Sequence, residues 1–401
     1  MLVEYQNGQV FDGTKFVKRN FAVQDGRFVE PTATPDQVVD LAGKFVTPGL
    51  MNAHTHVTMS ADPTYWQHRP RTAVTETVLA LDNLKAALSV GVTYVRDVGS
   101  THDVDLDLMK LDRDDLPGLV GSGQALSMTG GHGSGKGQEP KNSGTLEVDG
   151  EAAARRGARE VLRKGAKNVK LMATGGVSTP GETPFDEQLS EAEMRAAVVE
   201  AHHKGYTAAA HAQGTAGIKN AVRAGVDSVE HAIYLDEEAV ALMKRHHTTV
   251  VPTLVAPRAI YENPATLPAF MVEKAKLVAK AHLASTKQAV AAGVPVVMGT
   301  DAGTPFNTFD HWVLVELEMY RQAGMTPAQV LNSATSQAAK LLHLTDVTGQ
   351  VKEGLDADFV VLAEDPRQDF FAYERQTAVY RRGKKLVDRL TGGDGNATVA
   401  N

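Results

Sequence analysis

The run NVKLMATGG, Asn168 to Gly176, sets a single lysine, Lys170, inside an apolar stretch that stops at two glycines. A lysine taken out of water is costly unless its charge is removed or used. Alone, Lys170 reads equally as a strand lysine facing solvent or reaching up from a rim. Four further runs share its design. His54 and His56 close KFVTPGLMNAHTH (residues 44–56), and His211 closes YTAAAH (206–211). His231 closes VDSVEH (226–231) and Asp301 closes VPVVMGTD (294–301). His54 and His56 are two apart, so on a strand both point to one face. Polar residues gathered at successive strand ends are the mark of a parallel β/α barrel, whose active site lies where the strands' C-terminal ends converge. The six residues fall in order on strands one, four, five, six and eight of a barrel count.

The rest of the chain alternates to match. Strands are expected near 46–54, 92–97, 118–125, 168–173, 207–211, 226–231, 249–254 and 295–300. Helical patterns lie between them at 74–90, 150–164, 190–204, 215–224, 236–246, 271–292 and 310–323. The helix from 190 has Ser190 as N-cap, Glu193 at the capping-box position and Gly205 past its end. The second connection, THDVDLDLMKLDRDD, is the weakest, being short and acid-rich. Residues 1–30 read as short strands punctuated by Asn7-Gly8, Asp12-Gly13 and Asp25-Gly26, each a hairpin turn. ADFVVLAEDP and TAVYRRGKKLVD near the other end read the same way, and neither piece has enough strands to stand alone. The expected fold is α/β: a (β/α)8 TIM-like barrel over 49–347 with a small β-sandwich built from 1–48 and 348–401. The last residues, TGGDGNATVAN, carry little apolar content, and fraying is expected there.

Composition suits an enzyme-sized barrel. The chain has 401 residues, 42% of them apolar, and no cysteine, which excludes disulfides and thiolate ligands. The net charge of -7 argues against nucleic acid as a partner. No run is long enough to span a membrane and no secretory signal is visible, so a cytoplasmic protein, expected as a homo-oligomer, is inferred.

The motifs PGLMNAHTH, VKLMATGG, AAHAQG, SVEHA and GTDAG together resemble the amidohydrolase superfamily, over almost the whole chain. SMTGGHG after strand three, LMATGGVSTP after strand four and AGMTPAQVLNSATSQAAKLL near the end are similar to its binuclear branch. That branch holds prolidase-like metallo-dipeptidases and carboxypeptidases and ochratoxin-type amidases. Asn52 departs from the aspartate the superfamily commonly carries before its histidine pair; since it is not an expected ligand, only a supporting difference is expected.

The resemblance implies two divalent metal ions, with zinc the leading choice for histidine and carboxylate donors and manganese, cobalt or iron open by ligand type. His54, His56 and Asp301 are assigned to one ion and His211 and His231 to the other. Lys170, as a carbamate formed from its neutral amine and carbon dioxide, is the bridge. The nucleophile is expected to be a metal-bridged hydroxide, with Asp301 as general base and then general acid. His132 and Tyr234 are candidates to assist at the oxyanion. His132 reads otherwise as part of a glycine-rich turn in water, and Tyr234 as a half-buried aromatic with a wet hydroxyl.

GGHGSGKG spaces Gly130, Gly135 and Lys136 like a phosphate-binding loop, but Gly137 replaces the serine or threonine that a magnesium ion needs. A nucleotide reading therefore fails. The expected reaction is hydrolysis of a peptide or N-acyl-amino-acid amide, the partner being a small molecule such as a dipeptide or N-acyl amino acid. Arg69, Arg71 and His132 are the candidate donors to a substrate carboxylate, the arginines reading equally as solvated charges. The acids of GETPFDEQ (181–188) read either as contacts for a cationic side chain or as loop solubilisers. A one-metal deaminase or cyclic-amide hydrolase is the alternative, against which stand Lys170 and Gly214, the latter where such enzymes carry glutamate. A non-catalytic barrel is the third class.

Overall fold

Eight parallel segments alternate with helices in the computed structural model, which describes residues 1–134 and 144–388. Gly135, Lys136 and Gly137 of the glycine-rich loop, and the C-terminal TGGDGNATVAN, lie outside the described residues. The first three barrel strands, Leu50–Thr55, Val92–Asp97 and Gly118–Val120, pair side by side in parallel. Asn168–Met172, Thr207–Ala212, Ser228–His231 and Thr249–Val251 continue the wall, again all parallel. The helical segments between them, such as Thr215–Ala224 and Glu191–His203, fall within a residue or two of the sequence expectation.

Several strands differ from the sequence reading, the third and the eighth each for a local reason. The stretch 118–125 is not one strand but two, Gly118–Val120 and Ala125–Ser127, the second pairing with Asn168–Met172. Between them Oδ2 of the buried Asp105 carboxyl group accepts from the amides of Ser122 and Gly123 at 2.9 and 2.8 Å, amides that a continuous ladder would have used. The eighth strand is reduced to isolated bridges, Val250 with Val296 and Thr55 with Ala302. Pro295 brings no N–H to it, and Asp301 turns the chain at φ 62°. The acid-rich second connection forms the helix Val104–Leu111. Three helices absent from the sequence expectation also form: Val255–Glu262, Pro327–Ser333 and Ser336–Leu341.

A β-sandwich draws on both termini. One sheet joins Leu2–Gln6, Phe21–Gln24, Arg27–Val29 and Gln37–Asp40. The other runs from Lys384–Asp388 and Ala378–Arg381 through Phe359–Leu362 to Phe45–Pro48, Gln9–Phe11 and Phe16–Lys18. Asp25-Gly26 makes the expected hairpin. Asn7-Gly8 does not: Leu2–Gln6 and Gln9–Phe11 enter different sheets, and Gly8 lets the chain cross close over Leu41 and Val46. Tyr5, Phe21, Phe28, Phe359 and Tyr380 fill the space between the layers. Phe45–Pro48 belongs to this sandwich, while Leu50, one glycine later, begins the barrel. No helix among the described residues is long and apolar enough to cross a membrane.

Candidate metal centre

The strand ends deliver His54, His56, Lys170, His211, His231 and Asp301 to one cavity of about 710 Å³. His54, His56 and Asp301 offer ligand atoms that all lie within 4.8 Å of one another. Asp301 Oδ1 stands 3.3 Å from His54 Nε2 and 3.2 Å from His56 Nε2, while no partner reaches its Oδ2 among the described residues. The rings of His54 and His231 lie 5.0 Å apart and those of His211 and His231 4.7 Å apart. Non-glycine residues at three strand ends take left-handed backbone: His231 at φ 71°, Thr253 at 56° and Asp301 at 62°. Such strain costs on the order of 1–3 kcal/mol per residue and persists where the surroundings enforce it. Here it has a use. On a regular strand Glu230 and His231 would point to opposite faces, yet both reach His54.

Each histidine is held by its other nitrogen or its carbonyl neighbours. His54 Nδ1 bonds Glu230 at 2.6 Å, and Glu230 is gripped in turn by Arg96 at 2.8 Å, all three fully buried. His231 Nδ1 bonds Thr253 Oγ1 at 2.6 Å, and His56 Nδ1 bonds the Gly99 carbonyl at 3.0 Å. His211 Nε2 bonds the Gly175 carbonyl at 3.2 Å. Partners of this kind fix the tautomer and aim of imidazoles that ligate metals. Asn52 serves the same end: its carbonyl accepts the amides of His54 and Thr300, and its amide donates to Thr300 Oγ1. Glu230, Arg96 and Thr253 escaped the sequence reading. Arg96 and Glu230 gave only the signal of a charge within an apolar run, which they share with Lys170, and Thr253 gave none.

Burial, backed by neighbouring positive groups, pushes His211 and His231 well below the usual histidine range, so both are neutral donors. Asp301 stays a carboxylate: burial opposes this, but His54 and His56 hold its pKa well down. Lys170 is buried, and no hydrogen bond or salt bridge reaches its amine among the described residues. Desolvation brings its pKa down to about 8, against the pull of Glu230 and Asp301. A neutral amine is thereby within reach near physiological pH.

His132 also lines the cavity, its ring stacked on His211 at 4.2 Å. Its Nδ1 is bonded to Glu182, a buried carboxylate that also accepts from Gly176 N and Gln188 Nε2. Glu182 comes from GETPFDEQ, so this acid holds a histidine of the site. Asp186 and Glu187 of the same segment bond Thr183 and Asn220. These contacts tie the acids of the segment to groups of the protein itself. Tyr234 is not among the cavity's lining residues; it is half-buried and packs against Phe185 at 4.7 Å. Arg69 stacks on Tyr65 away from the cavity, whereas Arg71 lines it.

The amidohydrolase family model matches residues 45–386. The chain belongs to the amidohydrolase family. Ochratoxinase of Aspergillus niger is 30% identical over 372 residues, covering 84% of this chain and 75% of that one. A crystal structure of a prolidase complexed with N-methylphosphonate-L-proline aligns with TM-score 0.86 and 31% identity over 96% of this chain and 99% of that one. A Xaa-Pro dipeptidase with bound methionine aligns with the same TM-score at 25% identity, over 96% and 99% of the two chains. This amidohydrolase is therefore a hydrolase acting on amide bonds, on a barrel carrying a β-sandwich.

Proposed function

We propose that this amidohydrolase cleaves a peptide or N-acyl-amino-acid amide bond at a two-metal centre. The observation that carries the reading is the convergence on one cavity of four histidines, Asp301 and a buried lysine with no hydrogen-bond or ion-pair partner among the described residues. His54, His56 and Asp301 would hold one divalent ion, His211 and His231 the other, and Lys170, as a carbamate, would bridge them. The nitrogen and oxygen donors suit zinc. Two such ions supply Lewis acidity and a water acidic enough to react at neutral pH.

The chain's own groups do the rest. The carbonyl carbon gains the water oxygen and loses the amide nitrogen; Asp301 takes the water's proton on Oδ2 and delivers it to that nitrogen. His132, whose Nδ1 donates to the Glu182 carboxylate, would as an imidazolium also donate from Nε2 to the carbonyl oxygen as charge develops there. Val177, Ile233, Ile260 and Val278 line one wall of the cavity and would seat an apolar acyl group away from water. The deaminase alternative loses ground at position 214, where any Cβ would meet the Pro184 carbonyl oxygen at 2.6 Å.

The test is elemental analysis of protein prepared with zinc and bicarbonate, alongside a turnover screen of dipeptides and N-acyl amino acids. Two ions per chain and hydrolysis of at least one substrate class are expected. At most one ion, or turnover confined to cyclic amides, overturns the reading.

A further inference from the structure

Arg71 is built into the mouth of this cavity. It precedes the N-cap, Thr72, of the helix Ala73–Ser89, so the positive end of that helix adds to its charge. Its Nε donates to Glu76 Oε1 at 2.7 Å. Glu76 is completely buried, and its other oxygen accepts from Thr101 Oγ1 at 2.6 Å and pairs with His102 Nδ1 at 2.7 Å. The guanidinium also lies over the Trp66 ring, 5.4 Å from its centre. One edge of the guanidinium is thus fixed, while its two terminal nitrogens meet no partner among the described residues. Apart from histidines, Arg71 and Lys170 are the cavity's basic side chains among those residues. The one acid nearby in the lining besides Asp301 is Asp62, whose carboxylate is engaged by the amide and hydroxyl of Thr64.

We propose that Arg71, aimed by Glu76, is the specificity residue of this site and binds a carboxylate on the leaving-amine half of the substrate. A planar fork with a free edge is matched to a carboxylate's two oxygens. The side of the scissile bond follows from the wall each group occupies. Asp301, which hands its proton to the departing nitrogen, stands with His54 and His56 where the eighth segment bridges the first strand. Arg71 comes from the loop after that same first strand. His132 and the apolar wall come from the connections after later strands, the wall partly from the helices Val255–Glu262 and Ala269–Ala292, leaving them to the acyl half. The proposal rests on the hydrolase reading for its orientation, but the carboxylate contact can be measured without turnover.

The experiment compares N-acetyl-L-phenylalanine and N-acetyl-L-proline with their primary amides, in kcat/KM and in calorimetric binding to the zinc-loaded protein. A charge-assisted pair of this kind should favour acid over amide by about 10- to 100-fold. In Arg71→Gln the preference should collapse to within about threefold, and Arg71→Lys, which keeps the charge without the fork, should retain part of it. A purely structural arginine would lower acid and amide alike and leave the ratio standing. Thermal midpoint and metal content are read on each variant; should Arg71→Gln not fold, Arg71→Lys carries the comparison. If the wild type turns over no amide but still binds acid over amide through Arg71, the hydrolase reading fails and this proposal stands. Equal binding of acid and amide by the wild type, no binding of the acids, or an unchanged ratio in the variants overturns it.

Discussion

In the proposed reaction the two oxygens of Asp301 divide holding from reacting: Oδ1 faces His54 and His56, and no hydrogen bond to Oδ2 is found among the described residues. Asp301→Asn keeps an oxygen for the metal side but cannot carry the proton. It should lower kcat by about 10²- to 10⁴-fold with a much smaller change in KM. Turnover near the parent rate with full metal would move the proton shuttle elsewhere. Lys170→Ala should lose metal and activity together, short carboxylic acids restoring part of both; Lys170→Arg should fail, since a guanidinium cannot become a bridging carboxylate. Normal metal content in both variants would remove the carbamate. These six residues were legible because each lies within or closes an apolar run, where a polar side chain has no structural reason to sit. Their supports were not. Glu230 lies 176 positions from His54 and 134 from Arg96, and Glu182 lies 50 from His132, separations that only the closed barrel brings together. Glu230→Gln strips the charge partner from a fully buried Arg96, so a loss on the order of 3–5 kcal/mol is expected in urea denaturation. Metal affinity should weaken about 10- to 100-fold in titrations of the same variant. A variant as stable as its parent would show that Arg96 finds another acceptor.

At the scale of elements, the helices were read well because capping and period are local: Ser190 and Glu193 form the capping box that their spacing announces. The strands were read less well wherever a distant group intervenes. Asp105, on the preceding helix, ends the third strand at Val120, and the chain resumes as Ala125–Ser127, paired with Thr145–Glu147 on one side and Asn168–Met172 on the other. The loop after the fourth strand has the same character, since Gly176 is chosen by what stands above it. A Cβ there would meet the His132 ring at 2.5 Å. Gly176→Ala should displace His132 while leaving the proposed metal ligands in place. The expected result is a loss of about 10- to 1000-fold in kcat, as for removal of one oxyanion contact, with zinc content unchanged. A crystal structure or histidine NMR spectrum of the variant showing an unmoved ring, with activity lost, would detach His132 from the chemistry.

Over the whole molecule the barrel and the two-ended sandwich were legible from the alternation of patterns, but the charges that the core encloses were not. Glu316, on the helix His311–Gln322, is fully buried and accepts the amides of Leu254 and Val255 at 2.9 and 2.8 Å, tying the seventh strand's end to the helix beyond the eighth. Burial pushes its carboxyl up to about 8, although both amides pull the other way; Asp105, buried likewise, is also raised to about 8. In the unfolded chain such a glutamate titrates near 4.5. Between those values the folded protein keeps a proton that the unfolded chain has lost. Its contribution to stability is therefore whole below the lower value and drains away as pH climbs to the upper one. The slope approaches about 1.4 kcal/mol per pH unit for one group. Carboxylates held low, such as Asp301, act oppositely and only at acid pH, so they do not mask this decline. Glu316→Gln has nearly the same volume and no charge at any pH, and should flatten the decline while leaving the Asp105 share. Urea denaturation of chelated protein at several pH values from about 5 to 8 measures both slopes, the interval being that of the shifted group. Parent and variant losing stability in parallel would mean that Glu316 is already ionised in the fold, its two amide donors having outweighed its burial.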